Sequence, residues 1–213
     1  EDDCFAYYAQ QGRDSIRYDN RHKSISHCVL WPLMSGVCRI GSNTLGYPHS
    51  THIHGLTVKN CDVLHMQDHT TWPFGFLMDM REYDRPNSLP YEFENILFEN
   101  IRMDRTDFFV NIHCEPSKNG KIRNLVFKDI TISQPNTRLI CNDHEWISEN
   151  SAPGFTYIGC NDIDKIVFLN VSIDGHQDLN LEEIGATLHG VVSCQSEKIE
   201  FRDANGNLKI ETK

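Results

Sequence analysis

Residues 122–132 read IRNLVFKDITI, and this stretch decides the fold because three other parts of the chain repeat its pattern. Apolar residues occupy the first, fourth, sixth, ninth and eleventh positions of each copy, and Asn or Asp occupies the eighth. The other copies are IHGLTVKNCDV at 53–63, FENILFENIRM at 93–103 and IDKIVFLNVSI at 163–173. Alternation with a period of two predicts short β-strands, and the polar residue between two such strands marks a bend.

The polar residue at the bend recurs in every copy, as Asn60, Asn100, Asp129 and Asn170. A shorter copy, KSISHCVL at 23–30, has a His at the equivalent position. In a stack of coils, such a side chain can form hydrogen bonds with its equivalents in the coils above and below. The sequence therefore predicts a ladder of polar side chains along the stack.

The copies lie farther apart than the roughly two dozen residues that one coil of a β-helix takes. Each coil therefore carries a looped insertion, and unequal insertions on a regular scaffold are where a binding cleft is usually built. We expect an all-β protein, a right-handed parallel β-helix that forms one domain over residues 1–213. An antiparallel β-sandwich is the alternative, but few tight hairpin signals such as the Asn-Gly pairs at 119–120 and 205–206 are present.

Composition narrows the function classes. The chain is 39% hydrophobic and 23% charged, which is typical of a folded protein, and its net charge of −10 disfavours nucleic acid as a partner. No apolar stretch approaches the roughly 18 residues that a membrane span needs, so we expect no membrane partner. None of the eight cysteines forms a C-x-x-C pair. We expect buried thiols, with a disulfide framework as the alternative, and neither a metal nor a cofactor.

The order of several motifs carries a resemblance to a known family. The chain begins EDDCFAYY (1–8), continues with SHCVLWPLMSGVCRIGS (26–42), and then has LTVKNCDVLH (56–65). This series resembles the catalytic half of pectin-lyase-like glycoside hydrolases, and most of all family 49, the dextranase and isopullulanase group. Weaker similarity continues to about residue 190. The resemblance implies a β-helix that hydrolyses polysaccharides.

Family 28, the polygalacturonases and their relatives, is the second choice. Its Gly-Asp-Asp-Cys motif resembles Asp2-Asp3-Cys4. That family then has Gly-His-Gly, where this chain has MSGVCRIGS (34–42) without His. It later has Arg-x-Lys, which is not clearly present in FLMDMREY (76–83). These departures disfavour polygalacturonase activity.

The resemblance assigns catalysis to Asp2 and Asp3 in an inverting mechanism with three aspartates. The third would lie about one coil earlier, so we expect the chain to be the C-terminal part of a longer catalytic domain. It would associate with the missing N-terminal half or with a second copy of itself. In inverting enzymes the acid and base carboxyl groups are ~6.5–9.5 Å apart. Crowded carboxylates raise the pKa of one of them, and which aspartate is the acid stays open.

Residues that would bind the polysaccharide or oligosaccharide substrate are aromatic or imidazole side chains, because aromatic faces stack on sugar rings and imidazole edges bond hydroxyl groups. These candidates are Tyr8, Trp31, His65, His69 and Trp72. Arg39 lies between the apolar Cys38 and Ile40. It either faces the cleft, where it would suit an acidic or sulfated sugar, or faces outward and pairs with a surface acid.

Two classes of function follow. The first is a secreted glycoside hydrolase, extracellular or periplasmic, of which this piece alone need not be active. The second is a non-catalytic carbohydrate-binding β-helix, such as a tailspike-like module or an enzyme remnant. A polysaccharide lyase is a third possibility, but it requires a basic residue or Ca²⁺ beside an acidic sugar, and no clear site for either is present.

Overall fold

The computed structural model is all-β and contains no helix in the part of the chain that it describes. That part comprises residues 4–8, 19–32, 36–41, 52–64, 74–79, 92–104, 108–113, 121–133, 156–159, 162–177, 179–184, 186–188 and 199–209. The strands are β1 Phe5–Tyr8, β2 Asp19–Ser26, β3 Val29–Leu30, β4 Cys38–Gly41, β5 His52–Val63, β6 Phe74–Asp79, β7 Glu92–Asp104, β8 Phe108–His113, β9 Lys121–Ser133, β10 Thr156–Gly159, β11 Asp162–Ile163, β12 Ile166–Ile173, β13 Ala186–Leu188 and β14 Ile199–Arg202.

These strands form two sheets, and the chain passes back and forth between them. Sheet A has the order β1-β4-β6-β8-β10-β13, and sheet B has the order β14-β12-β9-β7-β5-β2, with β3 beside β5 and β11 beside β9. The pairings between named strands are parallel. The expectation of an all-β chain with parallel strands is confirmed, and the antiparallel sandwich is wrong for the described strands.

Equivalent residues of the repeat lie beside one another in sheet B. Ile101 of β7 pairs with Ile130 of β9, which in turn pairs with Val171 of β12. The apolar positions of the repeat are buried in a single core. The alternation that predicted the strands therefore also identified their buried face.

A column of phenylalanine rings runs through this core. Phe98 and Phe127 stack with ring centroids 5.1 Å apart, Phe127 and Phe168 at 5.3 Å, and Phe168 and Phe201 at 5.1 Å. The ring planes differ by 9°, 10° and 11°, so each ring faces the next with nearly the same orientation. Stacked aromatic pairs contribute about 0.5–1.5 kcal/mol beyond the burial of their surface, which favours one register between coils.

The predicted polar ladder is present at the bends. Asn60, Asn100, Asp129 and Asn170 have φ angles of 55°, 51°, 53° and 52°, a left-handed conformation that Asn and Asp tolerate better than most residues. Asn100 Nδ2 donates to Asn60 Oδ1 at 2.8 Å, and Asn170 Nδ2 donates to Asp129 Oδ1 at 2.7 Å. The strands do not end at these bends, because β5, β7 and β9 continue through them.

A second ladder, which the sequence analysis did not predict, lies at an earlier bend of the same strands. Asn95 and Asn124 have φ angles of 55° and 56°, and Asn124 Nδ2 donates to Asn95 Oδ1 at 2.9 Å. The equivalent residue of β5 is Gly55, with a φ of 76°. A Cβ atom there would lie 3.0 Å from His22 Nδ1, so glycine leaves room for the imidazole of the preceding coil.

Two cysteines occupy equivalent positions of neighbouring copies of the repeat as thiols. Cys28 Sγ donates to the carbonyl oxygen of Ser26 at 3.4 Å, and Cys61 Sγ donates to that of Lys59 at 3.3 Å. Burial raises the pKa of Cys61, and the neighbouring Cys28 thiol adds to the effect. The Cys61 thiol is therefore kept protonated and unreactive at neutral pH.

The C-terminal end of sheet B is fixed by a cluster of charges around Glu200. Lys165 Nζ lies 3.0 Å from Glu200 Oε1, and Arg202 Nη2 lies 2.7 Å from Oε2. Arg202 also donates to the carbonyl oxygen of Gly206 at 2.7 Å, which holds the turn that follows β14. Burial raises the pKa of Glu200, but the hydrogen bonds from Lys165 and Arg202 outweigh it and lower the pKa below its ordinary value of 4.5.

Two substitutions of Asn100 separate the contribution of its side-chain hydrogen bonding from that of its left-handed backbone conformation. Asn100→Gly keeps the left-handed backbone and removes the side-chain hydrogen bonds, so we expect a loss of about 1 kcal/mol in the free energy of unfolding. Asn100→Ala also forces a Cβ-bearing residue without local hydrogen bonds into that conformation, so we expect a further loss of about 1 kcal/mol. Urea denaturation of both variants measures the difference. Equal stability of the Gly and Ala variants would contradict the strain that we assign to this bend.

We expect acidification to destabilise the edge of sheet B that β14 forms. Because the pKa of Glu200 is lowered on folding, its stabilisation is fully present above pH 4.5 and is lost as the pH falls through the folded-state pKa. Glu200→Gln should reduce stability by about 1 kcal/mol at pH 7 and flatten the pH dependence between pH 5 and pH 3. Glu182→Gln, at an exposed glutamate, is the control. The same loss at pH 3 and pH 7 in Glu200→Gln would exclude this role.

Candidate functional site

The structure describes only some of the predicted site residues. Asp2, Asp3, His65, His69 and Trp72 lie outside the described residues, so their predicted roles remain predictions. Tyr8 is described through its backbone, and Trp31 and Arg39 are described in full. The site is therefore built from these three residues and their neighbours.

The segment that follows the aspartate pair is hydrogen-bonded to the β4 segment of sheet A from Cys4 onward. Cys4 N donates to Gly36 O at 3.1 Å, and Phe5 N donates to Val37 O at 3.2 Å. From there β1 runs in register with β4, with Ala6 beside Arg39 and Tyr8 beside Gly41. The residue immediately after Asp3 is thus already hydrogen-bonded at the start of sheet A.

Arg39 lies on the outer face of sheet A. Its neighbours Cys38 and Ile40 are completely buried, and successive residues of a strand alternate between the two faces of a sheet. Arg39 itself is half-buried. Position 8 of β1 pairs with Gly41 of β4, two residues beyond the partner of Arg39. The structure therefore brings two of the predicted substrate-binding positions together.

The register adds two positions that the sequence analysis missed. Asp79 of β6 pairs with Gly41 of β4 on one side and with His113 of β8 on the other. Carboxylate and imidazole are the residue types most used for general acid and base catalysis. No sequence pattern indicates this pairing, because β6 and β8 are not copies of the repeat.

Trp31 is not part of this group. It directly follows β3, and β3 pairs with β5 of sheet B, with Val29 beside Asp62 and Leu30 beside Val63. Leu64 N donates to Leu30 O at 2.8 Å, which extends the ladder to the level of Trp31. The predicted substrate-binding residues therefore divide between two sheets, with Tyr8 and Arg39 on sheet A and Trp31 at the end of a strand of sheet B.

A bidentate ion pair lies on β5 and β7 of sheet B, close to the end of β3. Arg102 Nε and Nη2 donate to Asp62 Oδ1 and Oδ2 at 2.5 Å and 2.7 Å. Both side chains are exposed to solvent, Arg102 by 74% and Asp62 by 38%. Exposed ion pairs of this kind contribute about 0–1 kcal/mol, because water screens them and ordering the side chains costs entropy. The pair is a weak contribution to stability.

The outer face of sheet B carries a second line of opposite charges. Lys128 Nζ hydrogen-bonds Glu99 Oε1 on the neighbouring strand, and this bond raises the pKa of Lys128. Arg102 and Asp62 belong to the tenth position of the repeat, and Glu99 and Lys128 to the seventh. Both pairs were readable in the sequence as opposite charges at one position of adjacent copies.

Among the described residues, no three His, Cys, Asp or Glu side chains are grouped so as to hold a metal ion. The described part of the chain also contains no helix suited to crossing a membrane.

The chain matches no protein-family model, no curated protein and no solved structure.

A double-mutant cycle tests the weak role of the ion pair. Asp62→Asn, Arg102→Gln and the double variant should show a coupling energy of at most about 1 kcal/mol in urea denaturation, because both side chains are exposed. The coupling should also fall when the salt concentration is raised. A coupling of several kcal/mol would mean that the pair is structural and would contradict this assignment.

Proposed function

We propose that the chain folds as a right-handed parallel β-helix and acts in an inverting glycoside hydrolase that cleaves polysaccharides. The fold proposal is supported by the alternation of consecutive strands between two parallel sheets. Connections between parallel strands of one sheet are right-handed in nearly all proteins. One coil therefore comprises a strand of each sheet and the segments that join them.

The observation that carries the functional proposal is the position of β1. The Asp2-Asp3 pair leads directly into this strand, whose first hydrogen bonds to β4 begin at Cys4. Its partner strand carries Arg39 on the outer face, half-buried. A polysaccharide that contacts the aspartates and lies across sheet A would then meet Arg39 on the strand paired with β1.

The proposed chemistry assigns proton transfer to the aspartates. One carboxylic acid protonates the glycosidic oxygen of the leaving sugar, and a carboxylate removes a proton from the water that attacks the anomeric carbon on the opposite face. Arg39 would donate hydrogen bonds to a substrate oxygen and fix the sugar ring. Asp79 and His113 are further candidates for substrate contacts, on the grounds of residue type and register alone.

A non-catalytic carbohydrate-binding β-helix is the second candidate. It is favoured by Trp31, whose exposed ring follows a strand of sheet B, whereas the strand that follows the aspartates belongs to sheet A. An aromatic ring that binds sugar requires no acid or base. The two candidates differ in whether the aspartates are needed for sugar release.

Asp3→Asn in the protein tests the catalytic assignment. Loss of a general acid or base should lower the rate of reducing-sugar release from dextran, pullulan or polygalacturonate by about 10²–10⁴-fold, with polysaccharide binding retained. Asp164→Asn, at an exposed aspartate before β12, is the matched control and should keep the full rate. If Asp3→Asn also keeps the full rate, the catalytic assignment is wrong. Binding without release in the unmodified protein would favour the second candidate.

A further inference from the structure

We propose that Trp31, Val29 and Leu64, together with the Asp62–Arg102 ion pair, form a second saccharide-binding surface on sheet B. The inference deepens the proposed function and rests on the carbohydrate substrate proposed above. The resemblance suggests a role in sugar binding for Trp31 but not for Val29, Asp62 or Arg102. These three residues are brought together by the pairing of β3, β5 and β7. We call these five residues the Trp31 surface.

The backbone sets the arrangement of the Trp31 surface. Leu30 and Val63 face the core, so Val29 and Trp31 on one strand and Asp62 and Leu64 on the next lie on the outer face. Val29 pairs with Asp62, and Asp62 pairs with Arg102. The hydrogen bond from Leu64 N to Leu30 O places Leu64 beside Trp31. The surface thus has an apolar edge at Trp31, Val29 and Leu64, and a charged edge at Arg102.

The apolar residues of this surface are unusually exposed. Val29 is 68% exposed, Trp31 52% and Leu64 39%. Single exposed apolar side chains are common, but adjacent ones form a patch that usually has a binding role. The described part of the chain exposes one other large apolar side chain, Leu208 at 57%, in the turn after β14 at the opposite end of sheet B.

The mixture of an aromatic face and a planar ion pair fits a saccharide. The C–H groups on one face of a sugar ring pack on an indole ring, while its hydroxyl groups need donors and acceptors at the edge. Arg102 supplies donors and Asp62 supplies acceptors. Replacing their contacts with each other by contacts with sugar hydroxyl groups costs little free energy, because the exposed pair contributes weakly to stability. A stable protein interface buries about 1,200–2,000 Å², far more than three apolar side chains provide. A saccharide is therefore the better fit.

The location on sheet B gives this surface a separate role from the proposed catalytic face. Tyr8 and Arg39 belong to sheet A, whereas β3 and β5 belong to sheet B. A long polysaccharide that binds at the Trp31 surface is held near the protein between encounters with the catalytic face. Such tethering increases the effective concentration of the polysaccharide at the proposed catalytic face.

Native gel electrophoresis of the full chain in gels that contain dextran, pullulan or polygalacturonate tests the proposal. We expect at least one of these polymers to retard the unmodified protein. Trp31→Ala should weaken the apparent affinity about tenfold or more, Trp31→Tyr should restore most of it, and Arg102→Gln should weaken it about threefold. Leu208→Ala removes an equally exposed apolar side chain from the other end of the sheet and should leave retardation unchanged. Equal urea midpoints establish that the variants are folded.

Three results would overturn the inference: unchanged retardation in Trp31→Ala, an equal loss in Leu208→Ala, or no retardation of the unmodified protein by any polymer. The proposed hydrolase function is decided separately, by the reducing sugar that the unmodified protein releases. Release that persists while retardation is insensitive to Trp31 refutes the Trp31 surface alone. Retardation that depends on Trp31 without any release refutes the hydrolase and leaves the surface in place.

Discussion

Each copy of the repeat in sheet B must follow the backbone of the copy beside it, and the rest of the structure depends on that constraint. Parallel strands satisfy their N–H and C=O groups only in register, so a bend in one strand has to recur at the same level in the next. The left-handed residues at Asn60, Asn100, Asp129 and Asn170 meet this requirement, and so do those at Gly55, Asn95 and Asn124. Their side chains then lie one above another, where amide groups bond to amide or carboxylate groups.

The same constraint acts on the two faces of the sheets. On the inner face, it turns one aromatic position of the repeat into a continuous stack from Phe98 to Phe201. On the outer face, it aligns equivalent positions of different coils, so that like charges would repel and opposite charges attract. The outer face is therefore where sequence can vary for binding. In sheet A that face carries Arg39, and in sheet B it carries Trp31 beside Leu64.

Much of sheet B was predictable from the repeat, and much of the candidate site was not. The eighth position gave the first ladder because Asn and Asp recur there, and the apolar positions gave the core. The third position, with Gly55, Asn95 and Asn124, carries a weaker signal, because the fourth copy has Lys165 there. The strands of sheet A are short and do not repeat a motif, so the pairing of Asp79 with His113 depends on contacts between distant segments. Resemblance placed Trp31 and Tyr8 in one group, and only the register showed that they belong to different sheets.

Methyl-group nuclear Overhauser spectroscopy of the labelled protein tests the in-register stack most directly. The stack predicts cross-peaks from Ile101 to Ile130 and from Ile130 to Val171, together with a second series through Ile96, Leu125, Ile166 and Ile199. Both series follow equivalent positions of successive coils. Cross-peaks that instead join Ile96 to Ile130 and Ile101 to Leu125, with none between Ile101 and Ile130, would show antiparallel pairing. That result would contradict the parallel pairing of sheet B and, with it, the two binding faces that we propose.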